Sequence, residues 1–65
     1  MRNELKNKRL EKGYTQQETA IKARISKSHY SMIENGERIG SLEVWISILN
    51  ALEIPEEELT KYMKQ

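Results

Sequence analysis

Residues 15–36 read TQQETAIKARISKSHYSMIENG and carry the start and stop signals of two short helices. Thr15 and Glu18 have the spacing of a capping box, in which the hydroxyl and the carboxylate satisfy free backbone amides at a helix start. Ser26 predicts the cap of a second helix, and Gly36 predicts its end, because glycine adopts the left-handed conformation without strain. The predicted helices cover residues 16–23 and 26–35.

Small and apolar residues lie where these two helices would pack against each other. Ala20, in the middle of the first helix, allows a second helix to cross closely at roughly 90 to 120°. Ala23 and Ile25 are apolar anchors on the two sides of the turn, and Tyr30 and Ile33 have the spacing of one buried stripe. The second helix then has an outward face made of Lys27, Ser28, His29, Ser31 and Met32.

The sequence outside this stretch predicts three further helices and no strand. One spans residues 3–12, with Leu5 and Leu10 facing the core. Another begins after the capping residue Ser41 and has an apolar surface too wide for a single stripe. The last covers residues 56–63. The predicted fold is therefore all-α, a compact five-helix bundle that forms one domain over the whole chain.

Length and composition exclude several classes of protein. A chain of 65 residues buries only about 60% of the surface that its unfolded form exposes, so the core is small. The absence of cysteine predicts no disulfide, no thiolate zinc site and no oxidising compartment. The apolar stretches are far shorter than the ~20 residues that span a bilayer, and no signal peptide begins at the N-terminus. We therefore expect a cytoplasmic protein without a membrane role or a cofactor.

Charge is unevenly distributed along the chain, although the net charge is only +1. The first 40 residues contain nine Lys or Arg against five Glu, giving +4, and the remaining 25 contain two Lys against five Glu, giving −3. The basic part contains the paired helices. Such a dipole would orient the domain toward a polyanion, although a moderate imbalance is also common in proteins that bind no nucleic acid.

The pattern as a whole resembles the helix-turn-helix domain of the phage repressor and Cro family, the Xre-like DNA-binding domains. The resemblance covers nearly the whole chain. No single position is diagnostic, and the assignment depends on many positions in register. These run from Leu5 to Leu59 and include Arg9, Lys12, Gly13, Gln16, Ala20, Ile25, Ser26, Ile33, Glu34, Gly36, Ser41 and Leu42.

Three positions depart from the family pattern. Thr19 stands where the family usually has Leu, Arg24 where it has Gly in the turn, and Gly40 where it has Pro. A left-handed Arg24 would cost about 1 to 2 kcal/mol, and the alternative is a reshaped turn that avoids this conformation. We expect these differences to affect stability more than function.

The resemblance implies that the outward face of the second helix reads DNA. In this family that helix lies in the major groove and the helix before it crosses the backbone. Lys27, Ser28 and Met32 match the base-reading positions, since lysine donates to guanine O6 and N7 and an apolar side chain contacts a thymine methyl. His29 beside them is a further base-reading candidate. The alternative is that these residues form only the solvated face of a short helix.

Gln16 matches a family position that holds a phosphate and braces the reading helix. It lies at the start of the first helix, where backbone amides attract anions. The alternative is that Gln16 begins the helix and contacts no ligand. Phosphate contacts position a domain without reading the sequence. The other predicted phosphate contacts are Thr15, Gln17, Ser31, Asn35 and Arg38, of which Arg38 is the strongest by charge.

The family pattern also places an arginine of the first helix, here Arg9, against a glutamate near the end of the reading helix, here Glu34. A guanidinium fork binds a carboxylate at two points, so we predict a structural ion pair. The alternative is that Arg9 binds phosphate and Glu34 is exposed.

His29 is the single histidine and raises the question of a metal site or a catalytic role. Neighbouring serines on one exposed helix cannot form a nucleophile, base and orienting acid. One histidine without cysteine or a converging carboxylate does not form a zinc site. We therefore predict no enzyme and no metal, and a surface His29 that contacts DNA or water.

The C-terminal segment predicts assembly. Members of this family often form dimers through their C-terminal helices, and a two-fold dimer would place two reading helices about 34 Å apart on an inverted repeat. The alternative is that the apolar residues of this segment only cover Trp45 and Leu49 in the monomer. The predicted interface residues are Ile54, Leu59, Tyr62 and Met63.

Together these features predict a sequence-specific regulator of transcription that binds double-stranded DNA as a homodimer, by default a repressor. No effector domain fits the chain, so no small-molecule effector is expected. Activation through the acidic C-terminal part stays open. The competing hypothesis is an antitoxin-like or adaptor module that binds a partner protein through Trp45, Tyr62 and Met63.

Overall fold

A computed structural model describes residues 1–64 and contains five α-helices and one short 3₁₀ turn. No strand occurs in this part of the chain, and the predicted all-α fold is confirmed. The elements are α1 (Asn3–Glu11), α2 (Gln16–Ala23), α3 (Lys27–Asn35), α4 (Leu42–Ala51), the 3₁₀ turn (Glu56–Glu58) and α5 (Leu59–Met63).

Side-chain caps begin the three central helices, as the sequence predicts. The Thr15 hydroxyl accepts a hydrogen bond from the Glu18 amide at 3.0 Å, and the Glu18 carboxylate accepts one from the Thr15 amide at 2.8 Å. Ser26 and Ser41 accept equivalent bonds at the starts of α3 and α4. These local bonds determine where α2, α3 and α4 begin.

The core lies where α2 packs against α3 and α4. Ala20 is 1% exposed, and its small side chain lets α3 approach α2 closely. Trp45 and Tyr30 are the largest fully buried side chains. The buried apolar residues are Leu5, Ala20, Ala23, Tyr30, Ile33, Trp45, Ile48, Leu49, Leu52, Ile54 and Tyr62.

Two details of the predicted helices are wrong. Leu10 is 54% exposed, whereas Leu5 is fully buried. Five residues of an α-helix turn through about 500°, which places Leu10 roughly 140° away from Leu5 around α1. The last helix, predicted over residues 56–63, begins instead with a 3₁₀ turn, and its α-helical part starts at Leu59.

The turn between α2 and α3 is not reshaped to avoid a left-handed residue. Arg24 has φ +60°, and its backbone amide donates to the carbonyl of Ile21 at 3.1 Å. The next amide, of Ile25, donates to the carbonyl of Ala20 at 3.0 Å. These two bonds end α2 and turn the chain into α3, but they require a conformation that strains every residue with a Cβ atom.

Replacing Arg24 with Gly is expected to raise the free energy of unfolding by about 1 kcal/mol, because glycine adopts this conformation without steric strain. Urea denaturation followed by circular dichroism measures the change. Arg24→Ala is the matched control, since it removes the same charge but keeps a Cβ atom. Equal stability of the two variants would show that the turn stores no such strain.

Candidate nucleic-acid interface

Five of the predicted DNA-contacting residues line one open depression of about 360 Å³ between α2 and α3. Lys27 and Ser28 are exposed, and Ser31 and Met32 are half-buried. Gln16 belongs to α2 and forms the side of the depression opposite α3. The lining residues are Gln16, Lys27, Ser28, Ser31 and Met32.

The orientation of this face follows from the buried side of α3. Tyr30, Ile33 and Glu34 are buried against the rest of the domain. Since residues three and four apart share one side of a helix, residues 27, 28, 31 and 32 face away from the core. His29 is half-buried and does not line the depression. The structure thus brings together three of the four predicted base-reading residues.

A buried hydrogen-bonded network holds α3 from behind. The Glu34 side chain is 1% exposed. The Arg9 Nε and Nη2 atoms donate to its two carboxylate oxygens at 2.9 and 3.4 Å. Tyr30 donates its hydroxyl to Glu34 Oε1 at 3.1 Å. The predicted pairing of Arg9 with Glu34 is therefore present in the structure, and it connects α1 to the last turn of α3.

Charge and hydrogen bonding shift the pKa values within this network. Burial acts to raise the pKa of Glu34, but the hydrogen bonds from Arg9 and Gln16 outweigh it and lower that pKa below its ordinary value. Burial, followed by the neighbouring carboxylate, raises the pKa of the Tyr30 hydroxyl. The hydrogen bond to Glu34 raises the pKa of Arg9. Glu34 is consequently ionised at neutral pH, and Tyr30 remains a donor.

The lowered pKa of Glu34 predicts acid sensitivity. A carboxylate with a depressed pKa stabilises the fold fully above its unfolded pKa, ordinarily 4.5, and this contribution disappears as pH falls through the lower folded value. We expect the free energy of unfolding to decrease below about pH 4.5. Urea denaturation across this range, with an NMR titration of the Glu34 carboxyl carbon, measures both effects. A titration midpoint at or above 4.5 would contradict the prediction.

Gln16 has the bracing role that the resemblance implies, and the structure identifies its partner in α3. Its side-chain amide donates to Glu34 Oε2 at 2.5 Å, so it connects the start of α2 to the buried network. An amide side chain has two N–H groups and an acceptor oxygen, and this bond uses one of the two N–H groups. Contact between Gln16 and a phosphate stays a prediction.

Four of the other predicted phosphate contacts are not among the residues that line the depression. Thr15 and Gln17 flank Gln16 at the start of α2, and the Thr15 hydroxyl is occupied by the capping box. Asn35 and Arg38 are exposed at the end of α3 and in the segment that follows. These residues thus provide polar groups at the start of α2 and at and after the end of α3.

Arg2 is the residue that sequence reasoning missed. It is 3% exposed and donates to the carbonyl oxygens of Ile33, Arg38 and Met63. Its guanidinium carbon lies 5.2 Å from the ring centroid of Trp45. A single charged residue ahead of the first helix belongs to no apolar period, so the sequence contained no signal of its burial.

The predicted dimer interface needs correction at two positions. Ile54 is 3% exposed and Tyr62 is 4% exposed, so both contribute to the core of the monomer and have almost no surface for a partner. Leu59 and Met63 are half-buried. Trp45 is fully buried, so neither it nor Tyr62 is available for the partner contact of the competing adaptor hypothesis.

Residues 1–64 contain neither a candidate metal site nor a candidate membrane span. No group of histidine, aspartate and glutamate residues in this range is placed to hold a metal ion. None of the described helices has the length and apolar character required to cross a bilayer.

The fold and the outward face of α3 define a helix-turn-helix domain. A family model described as helix-turn-helix matches residues 5–59. The chain therefore belongs to the helix-turn-helix family, and the resemblance to phage repressor and Cro-like domains is confirmed.

One relative is described as an HTH-type transcriptional regulator. The chain is similar to the uncharacterized HTH-type transcriptional regulator YqaF of Bacillus subtilis (strain 168). The two are 54% identical over 44 residues, which cover 68% of this chain and 58% of the relative. The match thus spans less than two thirds of the relative's length. No solved structure matches this chain.

Proposed function

We propose that this protein is a transcriptional regulator that binds double-stranded DNA sequence-specifically, with α3 in the major groove. The observation that carries the proposal is the depression in which Lys27, Ser28 and Met32 lie together on the free face of α3. Membership of the helix-turn-helix family supports it, as does the similarity to a relative described as an HTH-type transcriptional regulator.

The residues of the depression have complementary chemical roles. Lys27 donates to the O6 and N7 atoms of guanine, Ser28 donates or accepts at a neighbouring base, and Met32 contacts a thymine methyl. Gln16 and Arg38 contact phosphates on the two sides of the groove and set the register of α3. The network behind α3 keeps this helix from shifting when it binds, because Arg9 and Glu34 connect it to α1.

We further propose that two copies bind an inverted repeat and repress by blocking polymerase. The domain measures 23 × 22 × 20 Å between its Cα atoms, whereas half-sites on successive turns are about 34 Å apart. One copy therefore covers one half-site, and the second half-site requires a second copy. In this proposal the protein acts in the cytoplasm, associated with the nucleoid, and catalyses no reaction.

Selection from a random duplex library, followed by fluorescence anisotropy on the selected duplex and a scrambled one, tests the proposal. We expect an inverted repeat bound about 10³-fold or more tightly than the control. The logarithm of the affinity should fall linearly with the logarithm of salt concentration. Weak and equal binding to both duplexes would overturn the proposal.

A further inference from the structure

Arg2 connects three parts of the chain that meet behind the DNA-facing surface. Its Nη1 atom donates to the carbonyl oxygens of Ile33, in α3, and of Arg38, at 3.0 Å for the latter. Its Nη2 atom donates to the carbonyl of Met63, in α5, at 3.4 Å. One buried guanidinium therefore links the end of the reading helix, the segment after it and the C-terminal helix.

Arg2 also satisfies the end of α3 with its backbone. The Arg2 amide donates to the carbonyl of Glu34 at 2.8 Å, next to the Ile33 carbonyl that the side chain contacts. The last carbonyls of a helix lack partners within it and favour a cation. The backbone nitrogen of Met1 lies 3.6 Å from the position of a Cβ atom on Gly36, so this N-terminal segment packs directly against the turn that ends α3.

The segment from Gly36 to Gly40 is held from inside by Arg2 and Trp45 together. Arg2 donates to the carbonyl of Arg38, and the indole Nε1 of Trp45 donates to the carbonyl of Ile39. The guanidinium stacks over the same indole ring. Two consecutive carbonyls are thus fixed by two stacked, buried side chains, while the Arg38 side chain remains exposed to solvent.

We propose that Arg2 is a positioning residue for DNA binding. It fixes the backbone of Arg38 against the end of α3, so that the exposed Arg38 guanidinium meets a phosphate at a set distance from the reading helix. Ordering a flexible segment on binding lowers affinity, and a segment ordered in advance avoids that penalty. The proposal rests on the proposed function, because it assumes that Arg38 contacts DNA.

The chemistry of arginine, not its charge alone, suits this position. A planar guanidinium can donate in several fixed directions and stack on an aromatic ring at the same time, whereas an ammonium is a compact point charge. Arg2→Lys keeps the charge but cannot hold the Arg38 carbonyl while it reaches α3, α5 and the Trp45 ring.

A double-mutant cycle on the selected duplex tests the proposal. Arg38→Gln should reduce the salt slope by about one phosphate contact. In the wild-type background, Arg2→Lys should weaken binding roughly 3- to 10-fold, the range expected when one segment must be ordered on binding. In the Arg38→Gln background, the same substitution should weaken binding less than about 2-fold. Lys61→Gln, the matched control for charge loss, lies beside Tyr62 and should leave the salt slope unchanged.

The proposal would be overturned if the effects of Arg2→Lys and Arg38→Gln on the free energy of DNA binding were additive. It would also be overturned if Arg38→Gln had the same salt slope as the wild-type protein. Hydrogen exchange in the absence of DNA gives an independent measurement. The amides of Glu37 and Arg38, which both donate to the Met32 carbonyl, should exchange faster in Arg2→Lys while those of α2 do not. Unchanged exchange would overturn the positioning role even if no duplex were bound. Faster exchange without specific DNA binding would instead locate the failure in the proposed function.

Discussion

Replacing Glu34 with Gln is expected to lower the free energy of unfolding by about 3 kcal/mol, because it leaves the buried Arg9 guanidinium without a counter-charge. This loss lies near the low end of those expected when one partner of a buried ion pair is removed, since the new amide oxygen still accepts one hydrogen bond. Small domains have total stabilities of roughly 5–15 kcal/mol, so the loss is a large share of the total. Chemical denaturation without DNA measures it.

The same experiment needs a variant that removes both charges. In the double variant Arg9→Met/Glu34→Met, the loss in free energy of unfolding should be smaller than the sum of the losses in Arg9→Met and Glu34→Met alone. The reason is that apolar replacement of a whole buried pair is often close to neutral. Glu37→Gln is the matched control, since Glu37 is exposed three residues further along. A loss below about 1 kcal/mol in Glu34→Gln would show that the network does not support the fold as argued.

Replacing Lys27 and Ser28 with Ala is expected to abolish discrimination between the operator and a scrambled duplex. A lysine contact to guanine contributes about 1–3 kcal/mol, so Lys27→Ala alone should weaken operator binding roughly 5- to 150-fold. Binding to the scrambled duplex should change much less, because phosphate contacts dominate there. Anisotropy titrations at one salt concentration measure both affinities.

The control for this prediction is Lys61→Ala, which removes the same charge from a different face, beside Glu4, Asn7, Lys8 and Glu11. It should leave the discrimination intact. Both Lys27 and Ser28 are exposed, so their replacement is expected to leave the unfolding transition unchanged. Retained discrimination in the double variant would mean that α3 does not read bases through its N-terminal turn.

The sequence predicted the features that depend on neighbouring residues. Thr15, Ser26 and Ser41 begin their helices because each side chain accepts a hydrogen bond from the amide three residues further on. The turn at Arg24 is equally local, since its strain resides in one φ angle. The 3.6-residue period then determined the free face of α3, and the candidate interface with it.

Contacts between distant residues could not be predicted in this way. The resemblance implied that Arg9 would face Glu34, but the sequence did not predict that Gln16 would donate to the same carboxylate from α2. That bond depends on how α2 lies against α3. The exposure of Leu10 has a local cause instead, since the five residues that separate it from Leu5 place it roughly 140° away around α1.

The sequence by itself determined the caps, the turn and the pattern of apolar residues. These were sufficient to define a helix-turn-helix domain and the exposed face of α3. Only the tertiary structure decided that Ile54 and Tyr62 complete the core of the monomer and that Arg2 is buried behind the segment carrying Arg38. The reason is physical: a cap needs partners a few residues away, whereas the burial of a side chain depends on where remote helices lie when the chain closes around its core.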